Sequence, residues 1–246
     1  MILFVFEGMK AEPMVFGSLE RLLLSGEAVK IVKCSHDLPT LYRKLRDNDY
    51  DLFRSLPLKD NGINVPEGAR LDTLFSQIFL FFDYDFQNRI GVKNVNSILE
   101  DMLDFFDNET DNGKLYINYP MIESLKYTKT LPDAHYWQYA VTRQICADHK
   151  FKGEAETFAC AEAKGYKFID LAKTPEEEVR KNWAMLREQN VRKANYIISG
   201  NNVLPDKKDD INQKAIFTAQ KEKYVLTKDE VAILNSFPIF IHDYLK

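Results

Sequence analysis

The 246-residue chain predicts an α/β fold, with a largely parallel sheet over residues 1–127 and a mainly α-helical C-terminal region over 128–246. Three observations carry this. Short apolar runs stopped by Gly, Pro or acidic residues recur through the first half, separated by stretches of helical period. Strand, helix, strand, helix, strand, helix, strand in about 120 residues is the alternation of a layered parallel sheet. Beyond Tyr127 the short runs give way to long segments of helical spacing.

The elements follow in order. "ILFVFEG" is a buried strand stopped by Gly8, and "AEPMVFGSLERLLL" a helix with Phe16, Leu19, Leu22 and Leu23 on one face and Pro13 near its start. "AVKIVKC" is a second strand, and "LPTLYRKLRDNDYDLFRSL" is expected as one helix. "KDNGINVPEG" is a loop, and "FSQIFLFFDYD" the most apolar strand of the chain. "VNSILEDMLDFFD" is a helix, "NETDNG" a turn and "KLYINYP" a short strand. In the second half, helices are expected over 133–153, 153–168, 174–200, 211–225 and 229–245, the last bent near Pro238, with "NNVLPDKKDD" a loop. Thr174 before Pro175, acids in the first turn and basic residues toward the end suit the start and dipole of the third of these.

Composition narrows the function classes. A net charge of −4 gives no whole-chain basic field for nucleic acid, so contact with a phosphate backbone needs a local patch, a basic partner or a bound cation. Cys34, Cys146 and Cys160 lie far apart without zinc spacing and read as free thiols of a reducing cytoplasm. No apolar run approaches the ~18–20 residues of a membrane span, and the N-terminus lacks the basic flank of a signal peptide, so a cytoplasmic protein without a membrane partner is expected. His36, His135, His149 and His242 form no metal motif. Aromatics beside basic residues in "YWQYAVTRQ" and "KANYIIS" read as core at helical spacing, and "PEEEVRK" and "DKKDD" as solvated faces.

The acids carry the chemistry. Glu7 ends the first strand, Glu12 follows it, and Asp83 and Asp85 end the third; Glu123 follows the next strand. In an open parallel sheet, polar chemistry gathers beyond the carboxyl ends of the strands. Residues i and i+2 of a strand face the same way, so Asp83 and Asp85 can address one point. Hard carboxylate oxygens of this kind suit Mg²⁺ or Mn²⁺, which would also relieve the mutual repulsion of clustered acids.

These residues carry a resemblance. "ILFVFEGMKAEPMVF" resembles the opening motif of TOPRIM domains, an apolar strand followed by Glu-Gly, and "IFLFFDYDFQ" resembles their Asp-x-Asp strand. The likeness is nearest to the RloB-like and OLD-like nucleases of bacterial anti-phage defence, to which "NYPMIESLKY" is also similar, and it covers residues 1–127. It implies a TOPRIM-like catalytic domain, a C-terminal docking or dimerisation region, and a metal-dependent nuclease acting as a toxic effector. Glu7, Asp83 and Asp85 would be catalytic; Glu7, Glu12, Asp83, Asp85 and Glu123 would hold metal; Lys10 and Lys126 would contact phosphate. The late basic residue of the OLD-like pattern has no clear match, with Lys114, Lys126 and Lys129 as candidates. Implied partners are a DNA, tRNA or other RNA substrate, an ATPase of the same defence system and a second copy of the chain. Two alternatives stand beside this: a catalytically weak effector or sensor acting by docking, and a metal-dependent phospho- or glycosyltransferase using Asp-x-Asp. A phosphatase with Asp-x-Asp on its first strand fits less well, since that strand bears Glu7.

Overall fold

Apolar residues run without a break through Ile2–Phe6 and from Ile78 to Phe82, so both faces of the sheet must be covered there. The computed structural model describes residues 1–66, 68–69 and 71–245, so Glu67 of the expected 59–68 loop lies outside the described residues. In chain order the elements are β1 (Ile2–Phe6), α1 (Ala11–Leu23), β2 (Val29–Lys33), α2 (Leu38–Asp47), α3 (Leu52–Ser55), α4 (Leu71–Leu74), β3 (Gln77–Asp83), α5 (Val92–Phe105), β4 (Asp107–Asn108) and β5 (Gly113–Asn118). Then come β6 (Ala140–Thr142), α6 (Arg143–Ala147), α7 (Phe151–Phe158), α8 (Glu176–Ser199), α9 (Gln213–Gln220), α10 (Leu226–Lys228), β7 (Glu230–Ala232) and α11 (Ser236–Tyr244). The main sheet has the order β2-β1-β3-β5-β4. Its first four strands are parallel, and the two-residue β4 pairs antiparallel at one edge. The chain is therefore α/β with a mainly parallel five-stranded sheet, and much of its second half is helical.

Register explains the core. Phe4 lies opposite Phe79 and Phe6 opposite Phe81, so their rings share one face. Phe16 of α1 packs on Phe4 at 4.2 Å between centroids, and Phe237 of α11 stacks on Phe81 at 4.5 Å. Phe240 of α11 meets Phe4, Phe79, Phe81 and Tyr116 edge-on. Edge-on and offset rings are the favoured aromatic geometries. The last helix of the chain thus closes the face built by its first strand. Tyr119, just past β5, pairs with Leu234, just before α11, and fixes how the chain returns to the sheet.

Several elements differ from the sequence expectation. The single helix expected over 38–56 is two, because Asn48 caps α2, Asp49 and Tyr50 take left-handed conformations (φ 53° and 60°), and Asp51 caps α3 by accepting from the Arg54 amide. The helix expected over 133–153 is a 3₁₀ turn (Tyr136–Gln138), β6, α6 and the start of α7. Over 153–168, α7 ends at Phe158 and a kinked 3₁₀ segment (Lys164–Ile169) follows. The helix expected over 229–245 begins as β7, which pairs with β6, and becomes helical only at Ser236. Thr174 does not cap α8: its hydroxyl donates to the Lys167 carbonyl, and Pro175 precedes the first turn. Glu176, Glu177 and Glu178 complement the dipole there, but the last turn of α8 holds no basic residue. No helix among the described residues is long and apolar enough to cross a membrane.

Candidate functional site

Parallel pairing delivers the ends of β1 and β3 side by side. The Glu7 amide donates to the Phe81 carbonyl (3.1 Å), and the Glu7 carbonyl accepts from the Ser35 amide (2.9 Å), so the backbone of Glu7 is held from both neighbouring strands. Its Oε2 accepts from the Asp83 amide at 2.9 Å. Asp83 is paired with Asn118 in the register of β3 and β5, and its Oδ1 accepts from Asn118 Nδ2 at 3.0 Å. Tyr84 turns inward, fully buried, and its hydroxyl donates to Asn96 Oδ1 (2.6 Å). That anchor turns the chain so that Asp85 begins a turn closed by the Asn88 amide on the Asp85 carbonyl (2.8 Å). Glu12, buried at the start of α1, folds back so that Oε1 accepts from the Gly8 amide at 3.1 Å. Here Gly8 is required by close approach: a Cβ would stand 2.3 Å from Glu12 Oε2.

These carboxylates raise one another's pKa. Burial pushes Glu7 well above the usual carboxylate range, and the charges of Asp85, Glu12 and Asp37 add to it against the Asp83 amide bond. Burial likewise lifts Asp83 far above its ordinary value, with Glu7 and Glu12 contributing. Asp85 is pushed up to about 6 by burial and by Asp37, and Glu12 is raised mainly by burial. No ion pair engages Glu7, Glu12, Asp83 or Asp85 among the described residues.

The other sequence candidates are distributed differently. Glu123 is buried close enough to Glu12 to raise its pKa, and its Oε1 lies 3.3 Å from the exposed Lys152 ammonium. Lys126 is buried, bonded to Glu156 at 2.5 Å and set over the Tyr166 ring, so its charge is committed. Lys10 is exposed at the N-cap of α1. Lys114 pairs with Asp243 near the start of β5, at the opposite end of the strand from the acids. Lys129 lies over Phe158. Two residues at the site were missed by the sequence reading. Asp37, four residues past β2, obeys the same strand-end rule that singled out Glu7; Asn118 ends β5 one residue before Tyr119-Pro120 and is an uncharged partner that the search for acids passes over.

The donors fit a hard divalent cation in kind: Glu7, Glu12, Asp83 and Asp85 bring carboxylate oxygens that have no ion pair among the described residues. In arrangement they are not a ready-made chelate, for among the described residues no three His, Cys, Asp or Glu side chains stand together as a metal site. Hydrogen bonding gives the reason: Glu7 is tied to the Asp83 amide, Glu12 to that of Gly8, and Asp83 to Asn118. Comparisons with protein-family models, with curated proteins and with solved structures find no match to this chain.

Proposed function

We propose that this chain is a metal-dependent nuclease with a TOPRIM-like catalytic domain, and a toxic effector of anti-phage defence that works with an ATPase partner. One observation carries the hydrolytic reading: acids from two adjacent parallel strands gather beyond the carboxyl edge of the sheet, with no ion pair to Glu7, Asp83 or Asp85 among the described residues. Such a cluster is costly in a protein that has no cation to bind there. Asp83, Asp85 and Glu12 would hold Mg²⁺ or Mn²⁺, with Glu123 nearby but already compensated by Lys152. The chemistry such an ion supplies when bound is activation of a water and stabilisation of the oxygens of an in-line displacement. Glu7 stands on a separate strand, and its Oε1 has no hydrogen bond among the described residues, so it is free to take the proton of an attacking water. Burial raises the Glu7 carboxyl well above the usual carboxylate range, and a more basic carboxylate takes a proton more readily.

The test is incubation of the purified protein with Mg²⁺ or Mn²⁺ against plasmid, total tRNA and single-stranded DNA. Asp83→Ala is expected to abolish Mn²⁺ binding by calorimetry, and Glu7→Gln to slow cleavage by about 10²–10⁴-fold with a smaller loss of metal affinity. Unchanged Mn²⁺ affinity in Asp83→Ala, or no cleavage of any nucleic acid even with the genomic neighbour present, defeats the reading. A second reading, a catalytically weak effector that acts by docking, is favoured by the absence of a ready-made chelate among the described residues.

A further inference from the structure

Beside the acids runs an open cleft of ≈ 520 Å³ between α2 and α5. Its inner end is marked by Asp37 and Asn88, whose side chains are joined by a 3.0 Å hydrogen bond. Asn88 closes the turn begun by Asp85, and Asp37 is the residue whose charge raises both Asp85 and Glu7. Asn88 thus joins the cleft, which Glu7, Asp83 and Asp85 do not themselves line, to the turn that carries Asp85.

Its walls are chemically uneven. Arg43 and Arg46 stand three residues apart on α2, both exposed, so they project side by side. Arg43 donates to Thr40 Oγ1 (3.1 Å), and Arg46 lies 5.8 Å from the centre of the Tyr42 ring. Neither guanidinium has an ion pair among the described residues. The two acids that also line the cleft already have donors. Asp37 accepts from the Thr40 amide and from Asn88, and Asp101 accepts from the Tyr42 hydroxyl at 2.5 Å. The opposite side carries Asn88, Asn94 and Ser97 beside Ile90 and Ile98, so amide and hydroxyl groups alternate there with apolar surface. Guanidinium forks without an ion pair, facing a wall of amide, hydroxyl and isoleucine side chains, suit a ligand that is anionic along one edge and offers flat faces and hydrogen-bonding edges along the other. A single nucleic-acid strand has that character, because its base edges are unpaired and available, whereas a duplex spends them on pairing.

We propose that the α2–α5 cleft seats a single strand of nucleic acid, with Arg43 and Arg46 on its phosphates, and leads that strand to Glu7, Asp83 and Asp85. The proposal rests on the nuclease reading for what happens at the acids, but the cleft binds without a metal, and the two can be tested apart. Short fluorescein-labelled single-stranded DNA and RNA, and the matching duplex, are titrated with the full chain in EDTA by fluorescence anisotropy at several salt concentrations. The wild type is expected to bind the single strands more tightly than the duplex. Arg43→Glu/Arg46→Glu should weaken binding by tenfold or more and flatten the slope of log K against log [salt] by about 1.4, two phosphates at ~0.7 each. Arg43→Lys/Arg46→Lys should restore most of the slope and part of the affinity. Lys181→Glu/Arg187→Glu on α8 makes the same change in net charge and should leave the slope unaltered. Thermal melts confirm that every variant is folded. No binding by the wild type, equal losses in both charge-reversed variants, or tighter binding of the duplex overturns the proposal. Arginine-dependent binding with no cleavage in Mg²⁺ or Mn²⁺ keeps the cleft and removes the nuclease. Cleavage indifferent to Arg43 and Arg46 does the reverse.

Discussion

Gly8 and Glu12 act as one device. The glycine leaves room for a carboxylate to lie over the backbone, and its amide then holds that carboxylate at 3.1 Å. An Ala methyl would collide with the free end of a flexible side chain, which can swing away. Gly8→Ala is therefore expected to shift the melting temperature by no more than about 3 °C while displacing Glu12 and weakening Mn²⁺ binding about tenfold, as loss of an orienting partner does. Equal Mn²⁺ affinity by calorimetry would show that Glu12 takes no part. The acids at the strand ends allow a second prediction. Asp85 holds its proton up to about 6 in the folded chain against an ordinary 3.8, so between those values the folded state binds more protons than the unfolded one. Stability then falls as pH rises through that window, and Glu7 and Asp83, whose carboxyls burial also raises well above the usual range, act in the same direction. Asp83→Asn removes a charge and can keep the Asn118 contact. Without divalent ions it should match the wild type at pH 4 and exceed it in stability at pH 8, because the charge that burial and the neighbouring acids disfavour is gone. Guanidinium midpoints at the two pH values measure this; a variant less stable at pH 8 contradicts the repulsion described here.

At the scale of elements, legibility followed pattern length. β1 and β3 were visible as unbroken apolar runs because burial on both faces leaves no polar residue to interrupt them, while β2, at the sheet edge, and β5 kept shorter apolar stretches broken by Lys30 and Lys114. The acid cluster was visible for the same reason, since a carboxylate directly after such a run must be explained. β6 and β7 were not visible. Three residues show no period, and Ala140–Thr142 and Glu230–Ala232 each sit inside helical-looking text. Their pairing is set by tertiary neighbours: Gln220 of α9 accepts from the Ala232 amide and donates to its carbonyl, using the backbone groups of β7 that face away from β6. The break between α2 and α3 was readable in principle, because Asn and Asp tolerate left-handed backbone better than other residues with a Cβ, and "RDNDYD" offers three of them before a new cap. What no sequence pattern could supply is Asn118, a neutral side chain whose role comes from register with Asp83 on one side and from α11 on the other.

That last contact links the site to the whole molecule. Asn118 donates to Asp83 and accepts from both the amide and the hydroxyl of Ser236, so the first turn of α11 and the acid cluster share one buried side chain. Farther along α11, Phe237 and Phe240 cover Phe4, Phe79, Phe81 and Tyr116. On the other side of the site, α7 meets the 3₁₀ segment Ile122–Lys126 through Lys152–Glu123 and Lys126–Glu156, while Tyr127 stacks on Phe151 and Phe158. Burying each large aromatic is worth about 1.5–3 kcal/mol, so α11 alone supplies a sizeable part of the 5–15 kcal/mol that stabilises a typical domain. The sheet should not keep its structure once these contacts go. Trp183 donates to Ser18 of α1 and so bridges the two halves, whereas Trp137 packs on Tyr196 of α8; in Trp183→Phe the remaining Trp137 fluorescence reports the C-terminal half, and hydrogen exchange of peptides from β1 and β3 reports the sheet. The expected result is one guanidinium transition at which the two probes coincide, the mark of a single cooperative unit. Separate midpoints would mean that residues 1–127 hold their fold without α11, and then neither the Asn118 link nor the aromatic cover would be needed to position the acids.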